Sequence, residues 1–343
     1  MNPKPKLGLL LLTAEWFADI GAHGGGFADL PQLLERDAAA IASALGSGLD
    51  VVNPGVLATT EQVANAVETF RAEKVDGVVA CHITWGEDRP IIAALEALPD
   101  TPVLLWCYVP WHRAPDPLTM VDLFRGSGPV GFLQAGGPIK RMRRHVALAY
   151  GAHTSAETRA QITAFARAAW TARRLRDLTI GVLPYRCDQM SGTWVDEARL
   201  RHQLGPRLRY VSAHDYLAIC DGISDDEVDA FMTHLRATYR VADTVTEIGL
   251  RKAAQASLGL ASLVDALGLD AVALEDVGEE LHKVVGLRPC LKPPGLYERA
   301  VVSMEADVGA AVGLWVLRAL TGCTPMYTEV FTVDEAANAL IVG

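Results

Sequence analysis

Residues 6–13, Lys-Leu-Gly-Leu-Leu-Leu-Leu-Thr, form a nearly unbroken apolar run. A strand with one solvated face alternates apolar and polar residues, so a continuous run calls for burial on both faces. That burial is supplied by a parallel sheet with helices on either side. The next hundred residues keep to this pattern. Leu30–Leu45 has helical periodicity and stops at Gly46, and Leu49–Asn53 reads as a second strand before Pro54-Gly55. Thr60 is placed to cap a helix running to Lys74, with Val63, Val67 and Phe70 on one face. Asp76–Cys81 and Pro102–Val109 read as further strands, with a helix near Pro90–Leu98 between them. Strand and helix alternate at βαβ spacing, which predicts an α/β fold with a doubly wound, Rossmann-like parallel sheet.

The rhythm breaks over residues 110–137, which are rich in Pro and Gly and read as a long connection. Ile139–Gly151 and Ala156–Arg176 read as helices. A second α/β cycle then starts with the strand Thr179–Leu183. Ser224 and Glu227 have the spacing of a capping box for a helix running to Tyr239. Ile248–Leu267 reads as a helix and Asp270–Glu275 as a strand. Val75-Asp76-Gly77-Val78-Val79-Ala80 is weakly echoed by Leu269-Asp270-Ala271-Val272-Ala273-Leu274. Near the end, Arg299–Met304 is a strand, Gly309–Ala319 a helix stopped at Gly322, Pro325–Phe331 another strand, and Glu335 begins a further helix. The expectation is two consecutive doubly wound domains, residues 1–172 and 173–303, followed at 304–343 by the start of a truncated third.

Composition narrows the function. A chain of 343 residues, half of them hydrophobic, has material for more than one core. Its net charge of −10 is spread out with no basic stripe, so nucleic acid and anionic membranes are poor partners. No run of about 18 apolar residues is present to span a bilayer. The apolar run behind Lys4 and Lys6 is too short for a secretory leader and Glu15 comes soon after it, so a first strand in a cytoplasmic protein is the expectation. The six cysteines are scattered without a C-x-x-C pair, as reduced thiols in that compartment would be.

Two carboxylates attract attention. Glu305 and Glu329 each fall at or near the end of an expected strand, with one helix between them. Were those strands parallel neighbours, their ends would lie about 5 Å apart, at the edge where open α/β sheets collect ligands. Two carboxylates that close either raise one pKa or share a cation. Oxygen-rich sites suit Mn²⁺ or Mg²⁺. A surface glutamate at a strand end is the plainer alternative.

Val302-Ser303-Met304-Glu305-Ala306-Asp307, an apolar helix, Leu320-Thr321-Gly322 and then Glu329 resemble the metal-site segment of the L-fucose/L-arabinose isomerase family. Tyr185-Arg186-Cys187-Asp188-Gln189-Met190 is similar to the loop that opens the family's central domain and touches substrate. Residues 121–153 resemble the close of its N-terminal domain. The resemblance implies aldose–ketose isomerisation of a pentose, hexose or deoxy sugar through a cis-enediol, with Mn²⁺ or another divalent cation polarising the sugar oxygens. It makes Glu305 and Glu329 both metal ligands and the acid/base pair, and Met190 and Asp188 substrate contacts. It also implies a homo-oligomer and a third ligand beyond Gly343, so that the 343 residues read as an inactive fragment.

Other features carry less. Glu15 and Trp16 end the first strand at the functional edge, where the Trp16 ring suits the C–H face of a sugar. His82 and Trp85 end the third strand, and His82 reads as structural. Gly24-Gly25-Gly26 lacks the G-x-G-x-x-G spacing of a phosphate cradle. A competing function from another class is a sugar-binding module, since such modules are also built from two α/β domains; a catalytically silent relative with the same fold is another.

Overall fold

The computed structural model describes residues 4–20, 26–286, 289, 291 and 293–343. Gly24 and Gly25 of the glycine run lie outside these residues, as does Cys290. The chain divides into two compact units, Asn2–Arg173 and Arg174–Gly343.

The N-terminal unit runs β1 (Lys6–Leu12), α1 (Glu15–Ile20), α2 (Leu30–Gly46), β2 (Asp50–Val52), β3 (Val56–Leu57), α3 (Thr60–Ala72), β4 (Gly77–His82), α4 (Asp88–Ala97), β5 (Val103–Tyr108), α5 (Met120–Arg125), α6 (Gly128–Arg141), β6 (Ala147–Gly151) and α7 (Ala156–Leu175). The sheet order is β2-β1-β4-β5-β6, with β3 also on β1, and every pairing is parallel. The apolar run of β1 is buried on both faces. Leu7, Leu9 and Leu11 join the core beneath α2, while Leu10 and Leu12 join the opposite core with Val63, Val67 and Phe70 of α3. Thr59, one residue before the expected cap, closes α3 with Gln62 in a capping box.

Residues 110–151 depart from expectation. The stretch that reads as a connection contains α5 and most of α6, and the stretch that reads as a helix contains the fifth strand of the main path, β6. Glycine and proline inside α6 hide it from a reading based on propensity. Packing explains the glycines: a Cβ on Gly128 would stand 2.3 Å from the His82 carbonyl oxygen, and one on Gly131 would stand 2.8 Å from the His82 ring. β6 is an edge strand with Leu148 and Tyr150 exposed, so it lacks the apolar continuity that reveals β1.

The C-terminal unit runs β7 (Thr179–Leu183), α8 (Glu197–Gln203), β8 (Arg207–Tyr210), α9 (Ala213–Asp221), α10 (Asp225–Thr238), α11 (Glu247–Leu267), β9 (Ala271–Leu274), α12 (Glu280–Val285), α13 (Leu296–Arg299), β10 (Val301–Ser303), α14 (Val308–Thr321), β11 (Val330–Asp334) and β12 (Ala339–Val342). Its parallel sheet has the order β10-β9-β7-β8. Ser224 and Glu227 form the expected capping box on α10. α14 packs on this sheet through Ala311, Leu314 and Trp315. β11 and β12 form an antiparallel hairpin instead of the expected strand and helix. Asp334 Oδ1 accepts from Ala337 N–H at 2.9 Å and Asn338 has φ of +49°, so Asp334–Asn338 makes a turn in place of the expected helix.

Both units place their first strand between two later ones, β1 between β2 and β4 and β7 between β8 and β9, and the weak sequence echo marks that shared plan. Asp76 N–H donates to Lys6 O, and Lys6 N–H donates to the Asp76 carboxylate at 2.7 Å. Asp270 N–H donates to Thr179 O, and Thr179 N–H donates to the Asp270 carboxylate at 3.0 Å. One aspartate thus pins the start of β4 to the start of β1, and the other pins the start of β9 to the start of β7. Among the described residues no helix is long and apolar enough to cross a membrane.

Candidate functional site

In an open α/β sheet, ligands gather beyond the strand C-termini where the strand order reverses. That place lies between β1 and β4 in the N-terminal unit and between β7 and β9 in the C-terminal unit. The two are furnished differently.

Beyond β1 and β4, Thr13 and Thr84 share a hydrogen bond of 2.7 Å, and Ala14 N–H donates to Trp85 O, so the two loops are fastened together. Above them lies an aromatic group. Phe17 is buried and stacks on Trp16 at 4.1 Å between ring centroids; Trp85 lies 6.0 Å from Trp16, and Phe124 of α5 meets Trp16 edge-on at 5.9 Å. The Trp85 indole N–H donates to Gln134 at 2.9 Å, and the Trp85 backbone N–H donates to Ser127 Oγ at 2.7 Å. Trp16 is 46% exposed although Phe17 beneath it is buried. An indole held open to solvent on a packed bed is a preformed apolar surface.

His82 serves this platform from below. It is 2% exposed, burial lowers its pKa to about 4, and among the described residues its Nε2 has no hydrogen-bond partner. It is a neutral ring filling the space left by Gly131, in keeping with the structural role expected of it. Further along the same edge, Asp37 takes both Arg125 Nε and Nη2 at 2.7 and 2.6 Å, and Tyr108 Oη lies 3.2 Å from His153 Nδ1. Burial pushes the Tyr108 phenol well above its usual range and the His153 imidazole below its own. This bidentate pair and its neighbours join distant segments, and sequence alone gives no sign of them.

Beyond β7 and β9 the chemistry is acidic. Glu275 is fully buried; its Oε1 accepts from Gly278 N–H at 2.6 Å, and its Oε2 has no partner among the described residues. Glu305 comes just after β10 in a left-handed conformation, φ +61°, as does Ala306 at +51°, each costing about 1 kcal/mol. Asp276 holds this turn by accepting from Glu305 N–H at 2.9 Å. Tyr327 Oη donates to Glu305 Oε2 at 3.0 Å. The Glu305 pKa is raised by burial, and further by the charge of Glu329 and a hydrogen bond with it, against the lowering effect of Tyr327. Glu305 therefore stands at a strand end, and Glu329 reaches it, but from the exposed segment before β11 and not from a neighbouring parallel strand. Asp188 is exposed and paired with Arg186 at 3.4 Å, while Met190 packs into the unit's core.

No family model matches the chain, and no curated protein matches it. Among solved structures it is similar to an ABC transporter periplasmic solute binding protein from Actinobacillus succinogenes 130z with bound D-allose. The identity is 13%, covering 99% of this chain and 97% of that one, with a TM-score of 0.21. It is also similar to a galactofuranose binding protein, at 10% identity over 95% and 91% of the two chains, with a TM-score of 0.18. Likeness at these scores carries no argument about function. The two matches named are sugar-binding proteins, and no family model or curated protein supports the isomerase resemblance. The geometry agrees. Among the described residues no three His, Cys, Asp or Glu side chains are grouped to hold a metal ion. The aldose–ketose isomerase assignment and its manganese-binding description are thereby corrected. The two glutamates do approach each other, but their strands are not parallel neighbours.

Proposed function

We propose that this chain is a binding module for a small sugar, which it engages at the switch point of the N-terminal unit. The observation that carries the reading is Trp16: an exposed indole on a packed aromatic bed, at the sheet edge where α/β units take ligands. The flat indole face suits the axial C–H groups of a sugar ring. Gln134 and Glu15, both exposed, supply polar groups near the ends of this platform. The acidic switch point of the second unit takes no part in this reading.

The test is isothermal titration calorimetry of the full chain against pentoses, hexoses and deoxy sugars. At least one sugar should bind, and Trp16→Ala should weaken it at least tenfold, a loss of about 1.4 kcal/mol. Binding that survives Trp16→Ala unchanged, or no binding across the panel, would overturn the proposal.

A further inference from the structure

A cavity of about 340 Å³ opens elsewhere in the N-terminal unit, at the C-terminal ends of β5 and β6 and the start of α7. This is within the size range of small-ligand pockets, about 300–1,000 Å³. Its floor is fixed by the backbone. The Trp106 indole N–H donates to Gly151 O at 2.9 Å, and Thr158 Oγ1 donates to Tyr150 O at 2.8 Å. Gly151 has φ of +120°, and a Cβ there would stand 2.5 Å from Thr158 Oγ1, so only glycine allows this closure. Trp111 and Tyr150 supply the apolar walls, and His112, Glu157 and Gln161 the polar ones. Among the described residues none of these three polar side chains has a hydrogen-bond or ion-pair partner.

Charge decides which ligand fits. The amino end of α7 carries the equivalent of about half a positive charge, which by itself would draw an anion. Glu157 sits in the first turn, where its carboxylate opposes an anion at that helix end. The Trp111 ring is not open to a cationic ligand. The Arg125 guanidinium already lies 5.4 Å from the centre of the Trp111 ring, engaging its π system with a positive charge. What remains is a neutral molecule with hydroxyl groups and an apolar ring face.

We propose that this cavity is a second ligand site, for a neutral cyclic polyol, in which Glu157 and Gln161 bind hydroxyl groups, Trp111 and Tyr150 cover the ring, and Glu157 excludes anions. The site shares no residue with the Trp16 platform, so it stands or falls separately.

The test is protein-observed NMR on the full chain, following the indole N–H signals of Trp111 and Trp16 and the side-chain amide of Gln161. The probes are myo-inositol, methyl glucoside, glucuronate and glucosamine. A neutral probe should shift Trp111 and Gln161 in a saturable way, with glucuronate and glucosamine at least tenfold weaker. Glu157→Gln should bring glucuronate to within about threefold of methyl glucoside, and Gln161→Ala should weaken the neutral probes severalfold. Both substitutions are at exposed positions, so loss of folding does not cloud the result. Four outcomes would overturn the proposal: no shift at Trp111 with either neutral probe, equal binding of glucuronate or of glucosamine by the native chain, or neutral binding indifferent to Gln161→Ala. Shifts confined to Trp16 would support the platform and refute the cavity. Shifts at Trp111 and Gln161 without Trp16 would support the cavity independently of the platform.

Discussion

The two units share a strand plan and even a pinning aspartate, Asp76 in one and Asp270 in the other, yet their switch points carry opposite chemistry. In the N-terminal unit the loops after β1 and β4 are locked by the Thr13–Thr84 pair and topped by tryptophan and phenylalanine. In the C-terminal unit the loops after β9 and β10 hold Glu275, Asp276 and Glu305, the last in a strained turn fastened by Asp276 and Tyr327. The backbone plan therefore says where a ligand edge lies and nothing about what it binds. Only the side chains placed there do.

The largest expected effect tests whether the aromatic platform depends on the close approach of α6. Gly128→Ala would drive a Cβ into the carbonyl oxygens of His82 and Tyr108, at 2.3 and 2.8 Å. Backbone cannot yield as a side chain does, so the cost should be about 4 kcal/mol. Calorimetric unfolding should show the N-terminal transition falling while the C-terminal one holds. An unchanged N-terminal transition would mean that α6 is free to shift.

A smaller effect concerns pH. His82 has an ordinary pKa near 6.5 when unfolded and about 4 when buried. The unfolded chain binds this proton first on acidification. The stability that neutral His82 contributes is complete above pH 6.5 and is lost as pH falls toward about 4, a change of about 3 kcal/mol. His82→Gln should flatten that part of the stability–pH curve in urea titrations. A native-like slope in the variant would assign the acid sensitivity to other groups.

Which elements are legible in the sequence depends on where each signal lives. β1 is plain because burial on both faces leaves an apolar run, and the α10 capping box is plain because Ser224 and Glu227 are three residues apart. α6 is not, because its glycines answer to His82, some 50 residues away in sequence, and not to local propensity. At the candidate site, Trp16 can be singled out from its place after an apolar strand. The Asp37–Arg125 pair cannot, since nothing in either segment names the other. The glutamates show the reverse error: the spacing of Glu305 and Glu329 reads as two parallel strand ends, while Asn338 and Asp334 already spell a hairpin turn.

The smallest effect sharpens the acidic side of the comparison. Tyr327→Phe removes the hydroxyl that donates to Glu305 at 3.0 Å. The C-terminal unit should lose about 1 kcal/mol, and backbone amides of residues 329–343 should exchange faster with solvent. Unaltered exchange would show that Tyr327 does not fasten this segment.

The central claim is that ligand binding belongs to the N-terminal switch point and not to its acidic counterpart. Hydrogen–deuterium exchange of the full chain, with and without the best sugar from the calorimetric panel, addresses it most directly. Added protection should appear over residues 13–20 and 83–87, with residues 185–190 and 304–307 unchanged. Protection confined to the second pair of segments would contradict the claim and place the ligand on the carboxylates.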